Sequence, residues 1–159
     1  MTFCGKEEGR PPVSRNPKLQ DRRVYPHWSR DTVRFSDQDA AGHVNNVAVC
    51  AYFETGRLTF IRDAGLINYT PPMRSISARL DVSFLRESHW PGDVEIGCGV
   101  LSVGTSSIRL GSGVFKDGAC IATAEMTVVR LNGNQPHPLD EETRRKLEGL
   151  GLRDEGDWR

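Results

Sequence analysis

The chain lacks any excess of charge. Its 21 Lys and Arg are matched by 21 Asp and Glu, and the sequence pI is near 6.9. Without a basic face to neutralise phosphates, nucleic acid is not expected as a partner. Long hydrophobic runs are also missing. The longest, Val47 to Phe53, falls far short of the roughly 20 residues a membrane-spanning helix needs. The opening Met1-Thr2-Phe3-Cys4-Gly5-Lys6 has no apolar signal core, so secretion is not expected and the chain reads as cytoplasmic. The cysteines, Cys4, Cys50, Cys98 and Cys120, are scattered with no Cys-x-x-Cys spacing. Three of them fall on apolar phases of predicted elements, which predicts buried reduced thiols. His27, His43, His89 and His137 have no metal-ligand spacing, and no metal is expected. Gly97-Cys98-Gly99 is not a dinucleotide fingerprint, and Gly111-Ser112-Gly113 lacks the spacing of a nucleophile elbow. No internal repeat is present.

What is there suits one domain of 159 residues. Residues 1–30 are rich in charge, proline and arginine and are expected to be a flexible tail pinned near its end by Tyr25 and Trp28. The domain is expected over 31–149, followed by a second tail over 150–159. Thr32-Val33-Arg34-Phe35 reads as a short first strand. Asn46 to Ala64 reads as the principal helix, with Gly65 capping its end in a left-handed turn. The first half of that helix is apolar on every side, which predicts a helix enclosed by protein.

Four stretches then alternate with period two. Ile76, Ala78, Leu80, Val82 and Phe84 share one phase. Val94, Ile96, Cys98 and Val100 follow, with a slip near Leu101 to Val103 that suggests a bulge. Ile108, Leu110 and Val114 form the third set, and Cys120, Ala122, Ala124, Met126 and Val128 the fourth. Asp117-Gly118 between the last two is a strong hairpin signal. One-sided alternation in successive strands predicts an antiparallel sheet with a single buried face. A sheet of this kind with one enclosed helix predicts an α+β fold in which the sheet wraps the helix. A short closing helix is expected from Leu139 to Leu147.

The densest chemistry lies in Asp37-Gln38-Asp39-Ala40-Ala41-Gly42-His43-Val44-Asn45-Asn46, immediately before the helix. A helix N-terminus presents unpaired N–H groups and partial positive charge, which suit a carbonyl oxygen becoming negative. A carboxylate upstream can attack that carbonyl or activate a water. As a plain turn and N-cap, the same residues would also be ordinary.

Together with Phe35, Tyr52-Phe53-Glu54 and Arg57, this stretch resembles the signature of hot-dog-fold acyl-CoA thioesterases, in the Asp-x-Asp-x-x-Gly-His-Val-Asn-Asn form of the 4-hydroxybenzoyl-CoA thioesterase-like subgroup. The resemblance implies hydrolysis of an acyl- or aroyl-CoA to the acid and free coenzyme A. It places Asp39 as the catalytic carboxylate, nucleophile or general base, and the Asn46 backbone N–H at the oxyanion. Asp37 is expected to hold the loop. Gly42, His43, Asn45 and Phe53 are expected around the substrate, with Asn45 as the N-cap. Glu54, a carboxylate expected to be buried or pocket-facing, is the second catalytic candidate, with pairing to Arg57 as its structural role. Arg74, Arg86, Lys116 and Arg130 near strand ends are conceivable partners for the coenzyme A phosphates.

Coenzyme A is then part of the substrate, and no separate cofactor is expected. A homodimer, or a dimer of dimers, is expected because a single copy would leave sheet edges unpaired. Two other readings compete. A hot-dog hydratase or dehydratase would need an Asp–His pair in a different motif, whereas Asp39 and His43 are separated by Ala40-Ala41-Gly42. A non-catalytic acyl-thioester-binding protein would not need Asp39.

Overall fold

In the computed structural model, residues 16–66 and 70–154 are described; Cys4 and the outer parts of both expected tails, 1–15 and 155–159, lie outside them. The strands are β1 (His27–Thr32), β2 (Met73–Phe84), β3 (Asp93–Val103), β4 (Ser107–Lys116), β5 (Ala119–Asn132) and the short β6 (Gln135–Pro136). They form one antiparallel sheet in the order β1-β3-β4-β5-β2, with β6 on β5. Helix α1 (Asn46–Asp63) packs on β1, β3 and β4, and α2 (Glu141–Glu148) packs on β3. A curled antiparallel sheet around a central helix is the hot-dog arrangement.

Local chemistry sets the helix ends. The Asn45 side chain accepts from the Ala48 N–H at 2.7 Å, satisfying a donor the helix leaves open, and Gly65 turns left-handed at φ +69. Ala48, Val49, Tyr52, Phe53, Gly56, Phe60 and Ile61 form the buried face, against Val94, Ile96, Cys98 and Leu110 of the sheet. The enclosed helix expected from the sequence is not seen within one chain. Val47 is 79% exposed, and Ala51, Glu54 and Leu58 continue the same open stripe.

Three other expectations shift. The first strand is His27–Thr32 rather than 32–35, because Phe35–Asp37 winds into a 3-10 turn whose Arg34 N–H bonds the Asp37 carboxylate. In β2 the register slips between Ser77 and Arg79. Leu80, Val82 and Phe84 therefore sit opposite the inward Met126, Ala124 and Ala122, whereas Ile76 faces Val129 on the other side. In β5 the register slips where Phe115 pairs with Cys120, and Cys120 turns outward with Phe115. The expected slip after Val100 and the hairpin at Asp117-Gly118, both with positive φ, are found.

The sheet has two covered faces, not one. On its outer side Leu19, Val24, Tyr25 and Phe115 form a second core with Trp28, Cys120 and Leu152. The Arg22 guanidinium lies 4.5 Å from the Trp28 ring centroid and 5.1 Å from that of Phe115. The layer can approach because Gly97 pairs with Gly113 and Gly99 with Gly111, making a patch without side chains. A Cβ at any of the four would run into Tyr25, Leu152 or Leu19. Residues 16–30, expected as tail, are therefore packed, and Leu150–Leu152 of the expected C-terminal tail bond and pack against β3.

Gly56 is where α1 meets β3, and a Cβ there would occupy the space of Ile96 Cγ2. Gly56→Ala is expected to lower stability by about 1–3 kcal/mol through overpacking, outweighing its better helix propensity. Ile96→Ala removes the obstructing atom, so in urea titrations the two substitutions together should cost less than the sum of each alone.

Candidate active site

The loop between β1 and α1 is built around Asp37. Its carboxylate accepts from the Arg34 N–H at 2.8 Å and from the Tyr52 hydroxyl at 2.7 Å. Its carbonyl accepts from both the Asn45 N–H and Asn45 Nδ2, each at 2.9 Å. Burial, and then the bond to Asp37, push the Tyr52 phenol well above its ordinary range, which keeps it a donor. Asp37 therefore fixes the loop against the middle of α1.

Past Asp37 the chain makes a tight turn. The Asp39 N–H donates to the His43 carbonyl and the Gly42 N–H to the Asp39 carbonyl, each at 3.0 Å. Gly42 takes φ +84, a conformation that favours glycine. The Asp39 carboxylate accepts from the Ala41 N–H at 2.8 Å and remains 40% exposed. Asn46 opens the helix, the position whose N–H has no intrahelical acceptor.

The segment from Leu85 to Gly92 is stitched to this loop. The Val44 N–H donates to the Ser88 carbonyl at 2.7 Å, His89 Nδ1 lies 3.1 Å from the Gly42 carbonyl, and the Trp90 N–H donates to Gln38 Oε1 at 3.3 Å. Between them opens a cavity of about 320 Å³ walled by His43, Asn46, Val49, Phe84, Glu87 and Ile121, among others. A second cavity of about 350 Å³ shares Arg86, Glu87, Ser88 and Ile121 with it and continues to Trp90 and Lys116.

The candidates divide accordingly. Asp39, Gly42, His43, Asn45 and Asn46 come together at the loop and the helix start. Arg86 and Lys116 stand on the adjoining cavities. Arg74 and Arg130 stand apart, on a cavity near the far end of α1 lined also by Ile61 and Leu139. There Arg74 donates to the Gly133 carbonyl and Asn134, and Arg130 to Asp140. Phe53 is completely buried in the core. Glu54 is 53% exposed rather than buried, and Arg57 donates to it through Nε and Nη2.

Glu87 and Ser88 were not anticipated as parts of the site. The polar and turn residues of Glu87-Ser88-His89-Trp90-Pro91-Gly92 between two strands are the signal that marks them. Among the described cysteines, Cys98 is fully buried and Cys50 and Cys120 are half-buried. Burial pushes the Cys98 thiol up to about 12, the Cys120 thiol up to about 11, and the Cys50 thiol upward as well, so none is poised as a nucleophile. Among the described residues no group of three or more His, Cys, Asp and Glu could hold a metal ion. None of their helices is long and apolar enough to cross a membrane.

The thioesterase-like superfamily matches residues 33–147. The structure is similar to that of a Thermus thermophilus thioesterase solved with coenzyme A and zinc, with a TM-score of 0.73 and 30% identity, covering 82% of this chain and 98% of that one. It shares its fold with the PA5185 protein of Pseudomonas aeruginosa, with a TM-score of 0.76 and 24% identity over 84% of this chain and 97% of that one. The uncharacterised Bacillus subtilis protein YsmA is 28% identical over 83 residues, 52% of this chain. The chain spans about half of that relative's length, 56%.

Tyr52→Phe removes a buried donor from Asp37 without changing shape. It is expected to cost about 1–2 kcal/mol in chemical denaturation, with a matching rise in amide exchange over residues 37–45.

Proposed function

The chain belongs to the thioesterase-like superfamily, and on that premise we propose that it is an acyl-CoA thioesterase, releasing a carboxylic acid and free coenzyme A. The observation that carries the reading is the loop geometry. One carboxylate, Asp37, is consumed in structure, while the other, Asp39, is left accessible at the turn before an open helix N-terminus, 3.8 Å from the cavity-lining His43. Asp39 then activates water or attacks the thioester carbonyl, and the Asn46 N–H receives the oxygen as it becomes negative. The outer cavity with Arg86 and Lys116 supplies cations for the phosphate end of coenzyme A, the ligand found with the Thermus thermophilus thioesterase.

The working unit in this reading is a homodimer. β2 is an edge strand of 12 residues with Leu80 46% exposed, and the stripe Val47, Ala51, Glu54 and Leu58 lies open along α1. Pairing β2 with β2 of a second copy removes the open edge and gives the helix stripe a partner. Pairs of such dimers can then associate into a tetramer.

Release of free thiol from acetyl-, hexanoyl-, palmitoyl- and benzoyl-CoA tests the reaction. Hydration would leave the thioester intact, and a binding protein would release nothing. Asp39→Asn is expected to lower turnover by roughly a hundredfold or more with the fold retained, and Glu54→Gln by far less. The opposite order moves the catalytic assignment to the helix glutamate. In sedimentation, the 17.7 kDa chain is expected at twice that mass, and Leu58→Asp at single mass. A wild-type monomer that is stable and active would defeat the dimer.

A further inference from the structure

The cavity beside the loop is walled by His43 and Glu87, and the Asp39 carboxylate meets that wall at His43. His43 Nδ1 lies 3.8 Å from Asp39 Oδ1, and His43 Nε2 lies 3.7 Å from Glu87 Oε1. The imidazole thus stands between two carboxylates, one facing each nitrogen. Both gaps exceed a hydrogen bond by less than an ångström, and Glu87, 72% exposed, is free to close its side. The other titratable or charged groups around the ring are His89, 6.0 Å away between ring centroids and held at the Gly42 carbonyl, and Arg86 on the same cavity wall.

Resting on the thioesterase reading, we propose that His43 is the catalytic acid that protonates the departing thiolate, with Glu87 as its positioning residue. Glu87 accepts from Nε2–H, which fixes the tautomer that carries the proton on the cavity side and leaves Nδ1 open toward Asp39. The atoms balance as follows. Water gives a proton to Asp39 as its oxygen bonds to the thioester carbon, and the carbonyl electron pair moves onto oxygen at the Asn46 N–H. The carbonyl re-forms, the C–S bond breaks, and the electron pair leaves with sulfur. The contact from Nε2–H to Glu87 breaks as Nε2 gives its proton to that sulfur, while Asp39 passes its new proton to Nδ1. The products are the carboxylic acid and the free thiol. Asp39 is again a carboxylate, and His43 is neutral with its proton on Nδ1, from which exchange with cavity water restores the Nε2–H form for the next turnover. A coenzyme A thiolate is basic enough to gain from that proton, whereas an aryl thiolate of low basicity leaves without it.

This difference is the test. The fastest of the four acyl groups is carried once on coenzyme A and once on thionitrobenzoate, and kcat is measured for wild type, His43→Gln, Glu87→Gln and Asp39→Asn. His43→Gln is expected to lose about ten- to a hundredfold on the coenzyme A thioester and less than about threefold on the aryl thioester. Glu87→Gln should lose about three- to tenfold with the same dependence on leaving group, and Asp39→Asn should lose roughly a hundredfold or more on both, because water activation is needed for each. Equal loss of His43→Gln on the two substrates, or no loss, overturns the assignment. Should His43→Gln melt early, exposed Glu87→Gln carries the same comparison, and a loss blind to the leaving group, or none, is equally decisive. A wild type inactive on both substrates overturns the thioesterase reading itself, and the acid role with it.

Discussion

The bond from the Tyr52 hydroxyl to Asp37 is the interaction on which the candidate site depends. Tyr52 is 1% exposed in the middle of the buried face of α1, and a buried phenol needs an acceptor. Supplying it from Asp37 locks the loop to the helix at one register. The Asp37 carbonyl then holds both nitrogens of Asn45, and the Asn45 oxygen caps the helix at Ala48. Three consecutive constraints therefore run from the core to the helix start. The turn carrying Asp39 and His43 lies inside them and inherits its position.

The sheet below is held from both sides. The inner face carries α1, and close seating at Gly56 against Ile96 sets how near the helix comes. The outer face carries the segment Leu19 to Tyr25, which reaches the backbone of β3 and β4 across paired glycines. The Tyr25 hydroxyl donates to the Leu19 carbonyl, closing the strap on itself. Covering β3 and β4 on both faces makes them a rigid floor, while β2 at the edge stays largely exposed. The exposed elements, β2 and the open stripe of α1, are the ones a second copy would cover.

Much of this was legible in the residues. The capped helix, the Asp-Gly hairpin, the slip after Val100 and the loop-holding part of Asp37 all follow from local chemistry and spacing. The failures share a physical cause. A bulge shifts phase without changing composition, so Ile76 and Cys120 looked inward when register slips turn them out. The glycines at 97, 99, 111 and 113 signal close approach, but their partner is a proline- and arginine-rich segment far away in sequence that has no period of its own. The helix read as enclosed because apolar residues surround it, and the chain buries only one side. In the site, Glu87 and Ser88 were hidden because they come from a connector whose link to the motif loop is made by backbone bonds, such as Val44 to Ser88.

Three carboxylates, Asp37, Asp39 and Glu54, offered the same functional group to the reaction, and their surroundings separate them. Asp37 receives two donors and is nearly buried, so its lone pairs are committed and attack would mean breaking the loop. Glu54 is bound by the buried Arg57, so freeing it would leave a guanidinium unpaired in the core, which is strongly disfavoured. Asp39 has one backbone donor at 2.8 Å and half-open access. It can meet a ligand without breaking the bonds that anchor the loop to α1. In the proposed thioesterase reading, chemistry at this loop falls to the carboxylate that the fold does not need, with the His43 imidazole 3.8 Å away from it.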